Sequence, residues 1–169
     1  MTLFLLLLAL PVALASATGA EEPPSAVLDL PLRDAKGAAT TLRAVVGDGP
    51  ALVSFWATYC LPCRADVPVL HRAAARWRRT GLRVVAVAVD VEDPDRVARI
   101  AASWGIDYPS YVVPPAQLSR AADLAPRGLP ATFVVSRDGV TRHDGAVGDG
   151  TLETLLAPRL PAPSAPPPR

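Results

Sequence analysis

The sequence predicts an α/β fold built on one mixed sheet with helices on both faces. Three observations predict it. Short apolar segments bounded by Gly, Pro and Asp alternate with longer segments of helical spacing, as a helix-covered sheet requires. The run Leu82 to Val89 is apolar almost without a break, which suits a strand covered on both sides. A closing strand–turn–strand around Ser136-Arg137-Asp138-Gly139 adds antiparallel edges.

The elements follow in order. Ala26 to Leu30 and Thr40 to Leu42 flank Asp34-Ala35-Lys36-Gly37 and read as an N-terminal hairpin. Gly47 to Pro50 is a loop, and Ala51 to Trp56 is a buried strand. A helix then starts within Ala57 to Cys63 and runs to about Thr80, where Gly81 can stop it. Its apolar face carries Val69, Leu70, Ala73, Ala74 and Trp77. Asp93 and Pro94 suit the cap and first position of a second helix, which ends before Gly105. A short strand over Tyr108 to Val113 and a short helix over Ala116 to Leu124 form an extra β-α insert. Gly128-Leu129-Pro130 is a bend, Ala131 to Val135 a strand, Val140 to His143 its return, and Thr151 to Leu156 the last helix.

With 169 residues, one domain is expected, spanning 26–157, and it is large enough to bury a core without metals or many disulfides. Formal net charge is +1 and no stretch is strongly basic, so no nucleic-acid partner is expected. The Arg76/Arg78/Arg79 group reads as the solvated face of a helix. Leu3 to Ala17 is apolar and exits through small residues, so 1–20 reads as a signal peptide. No Lys or Arg precedes that run, so an uncleaved N-terminal anchor is the alternative; either way the domain is expected outside the cytoplasm, in the periplasm or secreted. No cysteine follows the run, so no lipid anchor is expected there. Residues 158–169 are mostly Pro and Ala and read as a disordered tail.

The chain has two cysteines, Cys60 and Cys63. As a staple, a loop this short yields only on the order of 2 kcal/mol. As half of a copper or zinc site, the two thiolates need partners, and only His71 and His143 are on offer. A redox pair fits the setting better. At a strand-to-helix turn, the unpaired N–H groups of the helix N-terminus stabilise a thiolate. Cys60 is then the exposed nucleophile and Cys63, one turn in, the buried resolving thiol. Pro62 and Leu61 between them set local stiffness and dipole exposure. Pro68 removes a backbone bond and is expected to kink the helix.

Phe55-Trp56-Ala57-Thr58-Tyr59-Cys60-Leu61-Pro62-Cys63-Arg64-Ala65-Asp66-Val67-Pro68 resembles the active-site segment of the TlpA/ResA-like branch of the thioredoxin superfamily. Gly128-Leu129-Pro130-Ala131-Thr132-Phe133 resembles that family's second signature. The resemblance covers roughly 26–157 and implies a thioredoxin-like fold with one β-α insert. It implies an exported protein disulfide oxidoreductase, usually a reductase, with no cofactor beyond the Cys60–Cys63 disulfide and no metal. Partners would be protein thiols and disulfides, including apocytochrome c and copper-site assembly proteins, with a membrane thiol carrier as electron donor; a monomer is expected. A copper chaperone or a disulfide-introducing oxidase using the same cysteines is the alternative.

The resemblance also implies that Pro130 is cis and lies against the cysteine pair, with the Leu129 backbone open to an extended substrate. Tyr59 stands where the family usually has Trp and keeps an aromatic rim. Trp56 is expected in the core near the pair, where its fluorescence reports redox state. Asp66 replaces a common Glu; it could tune the thiols, but pairing with an arginine is the plainer expectation. Ser54 holds the position of thioredoxin's buried aspartate and cannot ionise. Asp90 or Glu92 could supply an acid near the thiols, or simply begin the next helix. Arg64 is expected to face solvent, as is His71.

Overall fold

The computed structural model describes residues 23–90 and 93–162. The expected signal segment, Glu92 and residues 163–169 lie outside the described residues. The described residues form one seven-stranded mixed sheet in the order β2-β1-β5-β4-β3-β6-β7.

The N-terminal hairpin is real but displaced. Strand β1 is Pro31–Arg33 and β2 is Ala39–Thr41, paired antiparallel. Asp34 closes the turn by accepting from the N–H groups of Lys36 and Ala38, both at 2.8 Å. Ala26 to Leu30, expected as a strand, belongs instead to a 3-10 turn, Pro24–Asp29, and the residue after it. The spacing explains this. Val27 and Leu30 are the buried pair, three residues apart, and Pro24 pre-sets the first helical φ. A short helix absent from the sequence reading, α1 (Leu42–Val46), follows β2. The Thr41 hydroxyl accepts from the Ala44 N–H, and Leu42 and Val46 bury one side.

Strand β3 (Ala51–Trp56) is buried at every residue and runs parallel to β4 (Arg83–Ala88). Between them lie α2 (Leu61–Arg76) and a 3-10 turn, Arg78–Thr80, closed by Gly81 at φ 77°. Helix α2 ends four residues before the expected stop, and its run is unbroken through Pro68. Helix α3 (Pro94–Ser103) starts as expected, with Asp93 accepting from the Asp95 N–H. The insert is β5 (Ser110–Val112), parallel to β4, then α4 (Leu118–Leu124). Strand β6 (Ala131–Ser136) lies antiparallel to β3, and β7 (Gly139–Asp144), antiparallel to β6, completes the sheet before α5 (Asp149–Leu156). The ordered chain continues past the helix: the Leu160 N–H donates to the Leu156 carbonyl, and Leu160 packs on the core.

Two layers cover the sheet. Val53, Phe55, Val85, Val87, Phe133 and Val135 face α1, α4 and the first turn. On the opposite face Leu52, Val84 and Val134 pack against Leu70 of α2, Trp77 at its C-terminal cap, and Leu152 and Leu156 of α5. Further along that face Trp56, Ala86 and Ala88 pack against Val97 and Ala101 of α3, and both cysteines belong to this cluster. Arg72 bonds Asp149, and Arg76 bonds Glu153, so two exposed pairs also join α2 to α5.

Candidate active site

Strand β3 delivers the chain to the N-terminus of α2. There Cys60 is the cap residue, and its Sγ accepts from the Cys63 N–H at 3.2 Å. Cys60 and Cys63 are joined by a disulfide, with Cα atoms 5.3 Å apart. Pro62 sits in the first turn, where its missing N–H leaves no bond unmade. In the disulfide both cysteines are buried: Cys60 is 6% exposed and Cys63 4%. The expectation of an exposed Cys60 is therefore corrected for this state, because the crosslink draws its sulfur against the helix end. Access is directional instead. An open cleft of about 510 Å³ is lined by Tyr59, Cys60, Leu61, Pro62, Gly128 and Leu129, and Cys63 is not in its wall.

The rim of that cleft is apolar. Tyr59 is 74% exposed and Leu61 73%, large side chains standing in water on either side of the sulfur. Exposed groups of this kind, beside a reactive atom, suit capture of a partner chain. The opposite wall comes from the bend before β6, where the Leu129–Pro130 peptide is cis. The Gly145 N–H donates to the Pro130 carbonyl at 2.9 Å, which pins the bend to the end of β7. Leu129, rather than the buried Pro130, faces the cleft and packs on the cluster that holds the cysteines. Trp56 is 2% exposed in that same cluster and lies 5.1 Å from Trp104, ring centre to ring centre. Arg64 is exposed, as expected. His71 is half-buried rather than solvent-facing; it meets the Tyr108 ring edge-on, with its Nε2 3.2 Å from Asp107.

Two carboxylates take roles the sequence did not reveal. Asp90, at the end of β4, holds the loop that carries Cys60: one oxygen accepts from both the backbone N–H and the hydroxyl of Thr58. It is neither a solvated helix start nor in the cleft wall. Thr58 carries no local signal of this role, because its partner lies 32 residues away.

Asp66 does not pair with an arginine. It is 2% exposed, and its Oδ1 accepts from the Val147 N–H at 3.1 Å, while Oδ2 is buried without a partner among the described residues. Burial pushes its carboxyl up from 3.8 to about 6, although the Val147 N–H and the charge of His143 pull it down. Burial also raises the Tyr108 hydroxyl, with the charges of Asp107 and Asp66 adding to the shift. One turn separates Asp66 from Cys63 on the same buried stripe, so the two are helical neighbours. A signal for this existed: Asp66 lies three residues after Cys63 and four before Leu70, on the apolar face.

A disulfide capping a helix, opposite a cis-proline bend on this sheet, defines a thioredoxin-fold protein disulfide oxidoreductase. The chain belongs to the AhpC/TSA family, whose model matches residues 24–144, and its relatives and fold support a TlpA/ResA-like protein of the thioredoxin superfamily. It is similar to the thiol-disulfide oxidoreductase ResA of Halalkalibacterium halodurans, 26% identical over 128 residues, covering 74% of this chain and 70% of that protein. ResA of Bacillus subtilis is 30% identical over 108 residues, covering 64% of this chain and 58% of that one. Among solved structures, a thio-disulfide isomerase from Thermus thermophilus is 30% identical with a TM-score of 0.56, covering 76% of this chain and 90% of that chain. A secreted Mycobacterium tuberculosis disulfide oxidoreductase homologous to E. coli DsbE shares the fold: TM-score 0.62, 20% identity, covering 79% and 98%.

Proposed function

We propose that this protein works outside the cytoplasm, as a monomer, reducing disulfides in partner proteins such as apocytochrome c or copper-site assembly proteins. The observation that carries the reading is the Cys60–Cys63 disulfide at the N-terminus of α2, with Cys60 alone of the pair in the wall of an apolar cleft. The secreted relative and the apolar run Leu3 to Ala17 support the location.

The chemistry follows from the arrangement. In the reduced protein the Cys63 N–H and the helix end stabilise a Cys60 thiolate. That thiolate attacks a partner disulfide seated between Tyr59, Leu61 and Leu129. A Cys60–partner bond forms and the first partner sulfur leaves. Asp66 then takes the proton of Cys63, whose thiolate attacks Cys60 Sγ. The intramolecular disulfide re-forms and the second partner sulfur leaves. A buried carboxyl near 6 is matched to this step, because it is mostly ionised at neutral pH yet still basic. A membrane thiol carrier would return the pair to the dithiol.

The direction of electron flow is tested by equilibrating the pair against thiol/disulfide buffers, reading Trp56 fluorescence and trapped thiols. A potential of about −270 mV or lower is the expected result for a reductase. A value near about −120 mV makes the protein an oxidant and overturns the reductase reading.

A further inference from the structure

The far wall of the cleft belongs to the segment 125–130, which joins α4 to β6 and carries Gly128 and Leu129. Inside the segment one turn is closed, by the Gly128 N–H on the Ala125 carbonyl at 2.9 Å. Gly128 sits at φ 87°, and a Cβ built there meets no atom within 4 Å. The position therefore needs glycine for its backbone angle and not for space.

The rest of the support comes from one place. Residues 142–145, at the end of β7, reach the beginning, the middle and the end of the wall. Arg142 donates from Nη1 to the carbonyl of Leu124, the last residue of α4, at 3.3 Å. Asp144 Oδ2 accepts from Arg127 Nη1 at 2.7 Å. The Gly145 N–H donates to the Pro130 carbonyl at 2.9 Å. Strand pairing puts these groups there. Asp144 lies opposite Ala131 and Arg142 opposite Phe133, in register with the strand that the wall runs into. Two residues apart on one strand, Arg142 and Asp144 share a face of the sheet.

Asp144 is the joint of this brace. Its side chain is 16% exposed and stands between an arginine that is 66% exposed, Arg127, and one that is 9% exposed, Arg142. Its Oδ1 is 3.2 Å from Arg142 Nε, a contact of charges without the alignment of a hydrogen bond. The aligned bond is the one to Arg127. A charge-assisted bond with a mostly buried acceptor holds better than an ion pair with both ends in water.

We propose that Asp144, acting through Arg127, fixes the far wall of the cleft and so sets the protein's preference for disulfides in extended polypeptide over small disulfides. This rests on the reading that a partner chain is seated between Tyr59, Leu61 and Leu129. Arg127 is two residues from Leu129, so the bond fixes the segment before a partner arrives. The entropy of ordering the wall is then lost on folding and not on binding. A small disulfide reaches Cys60 through the open side of the cleft and makes no use of the wall. Neither Asp144 nor Arg127 touches the reacting sulfurs; both are positioning residues.

The test compares two substrates in the first thiol release. Reduced protein is mixed with a peptide disulfide-bonded to a chromophoric thiol, or with the symmetric small disulfide of that thiol. In each case the Cys60 thiolate forms a mixed disulfide and one chromophoric thiolate leaves. For the peptide, the half-saturating concentration and the limiting rate are read separately. Arg127→Ala is expected to raise the half-saturating concentration about fivefold and Asp144→Asn about tenfold, with the limiting rate and the small disulfide unaffected. Arg127→Lys, which retains the charge, should recover most of the loss. The two residues form one contact, so Arg127→Ala should add nothing in the Asp144→Asn background. Arg43→Ala, which breaks the exposed pair with Asp29, controls for the loss of a surface charge and should change neither substrate. Arg127 is exposed, so its variants decide the matter alone should Asp144→Asn fail to fold. Equal slowing of both substrates overturns the specificity role. Wild-type half-saturation in the variants overturns the brace and leaves the seated partner standing. Wild-type protein that shows no saturation with the peptide and no preference for it removes the seated partner and the brace together.

Discussion

Replacing Asp66 by Asn should stabilise the protein at neutral pH, and the structure sets the size of the effect. The carboxyl is 2% exposed and its pKa rises from 3.8 to about 6 on folding. The folded state thus holds its proton more tightly than the unfolded chain. Between those two values the folded state binds more protons, so stability falls as pH rises through the window. Above it the loss is complete. About two units at roughly 1.4 kcal/mol each give a cost of about 3 kcal/mol at neutral pH. Asn keeps an oxygen for the Val147 N–H and carries no charge, so that cost disappears. Asn packs differently from a carboxyl, which adds a constant offset, but the pH dependence is free of it. The linkage relation puts the cost at about 1 kcal/mol near pH 4.5 and about 3 kcal/mol near pH 7.5. The gap between variant and wild type should therefore widen by about 2 kcal/mol from the lower pH to the higher. Urea denaturation of both oxidised proteins at the two pH values, followed by tryptophan fluorescence, measures it. A gap that stays constant with pH would refute the reasoning, because it would mean that Asp66 is solvated in the folded state.

Two further outcomes follow from the site. Thr58→Val removes the hydroxyl that Asp90 accepts and leaves a half-buried carboxylate with one donor fewer. It should cost about 2 kcal/mol in thermal or urea denaturation and slow the first thiol release, whereas Thr58→Ser should retain both. Cys63→Ser should accumulate a stable mixed disulfide through Cys60 with peptide substrates, visible by intact mass and reversed by added dithiol; Cys60→Ser should accumulate none.

Much of the architecture was legible because it rests on short-range pattern. The apolar runs of β3 and β4, the cap Asp93-Pro94 and the turn Ser136 to Gly139 each announce themselves within a few residues. The cysteine pair did the same, since its spacing places Cys60 at a helix N-terminus by local geometry alone. The first turn, Pro24–Asp29, reads as a strand in sequence because a short, mostly apolar stretch looks alike in a strand and in a tight helix. Only the sheet against which Val27 and Leu30 pack distinguishes the two.

The sequence by itself determined the class of fold and the two reacting sulfurs, because each is encoded by neighbours along the chain; the cis bend that faces them was implied only by the family resemblance. Tertiary structure alone decided the electrostatics around them. An aspartate reads as polar, and its expected place is water or an arginine. Asp66 is buried because helix α2 must turn its apolar stripe to the sheet, and the carboxylate at that position is carried in with it. Its hydrogen-bond partner Val147 is 81 residues away and arrives only with the chain after β7. Likewise Asp90 meets Thr58 only because β3 and β4 lie side by side and end at the same level. Proton affinity depends on what surrounds a group in space, and long-range pairing supplies those surroundings.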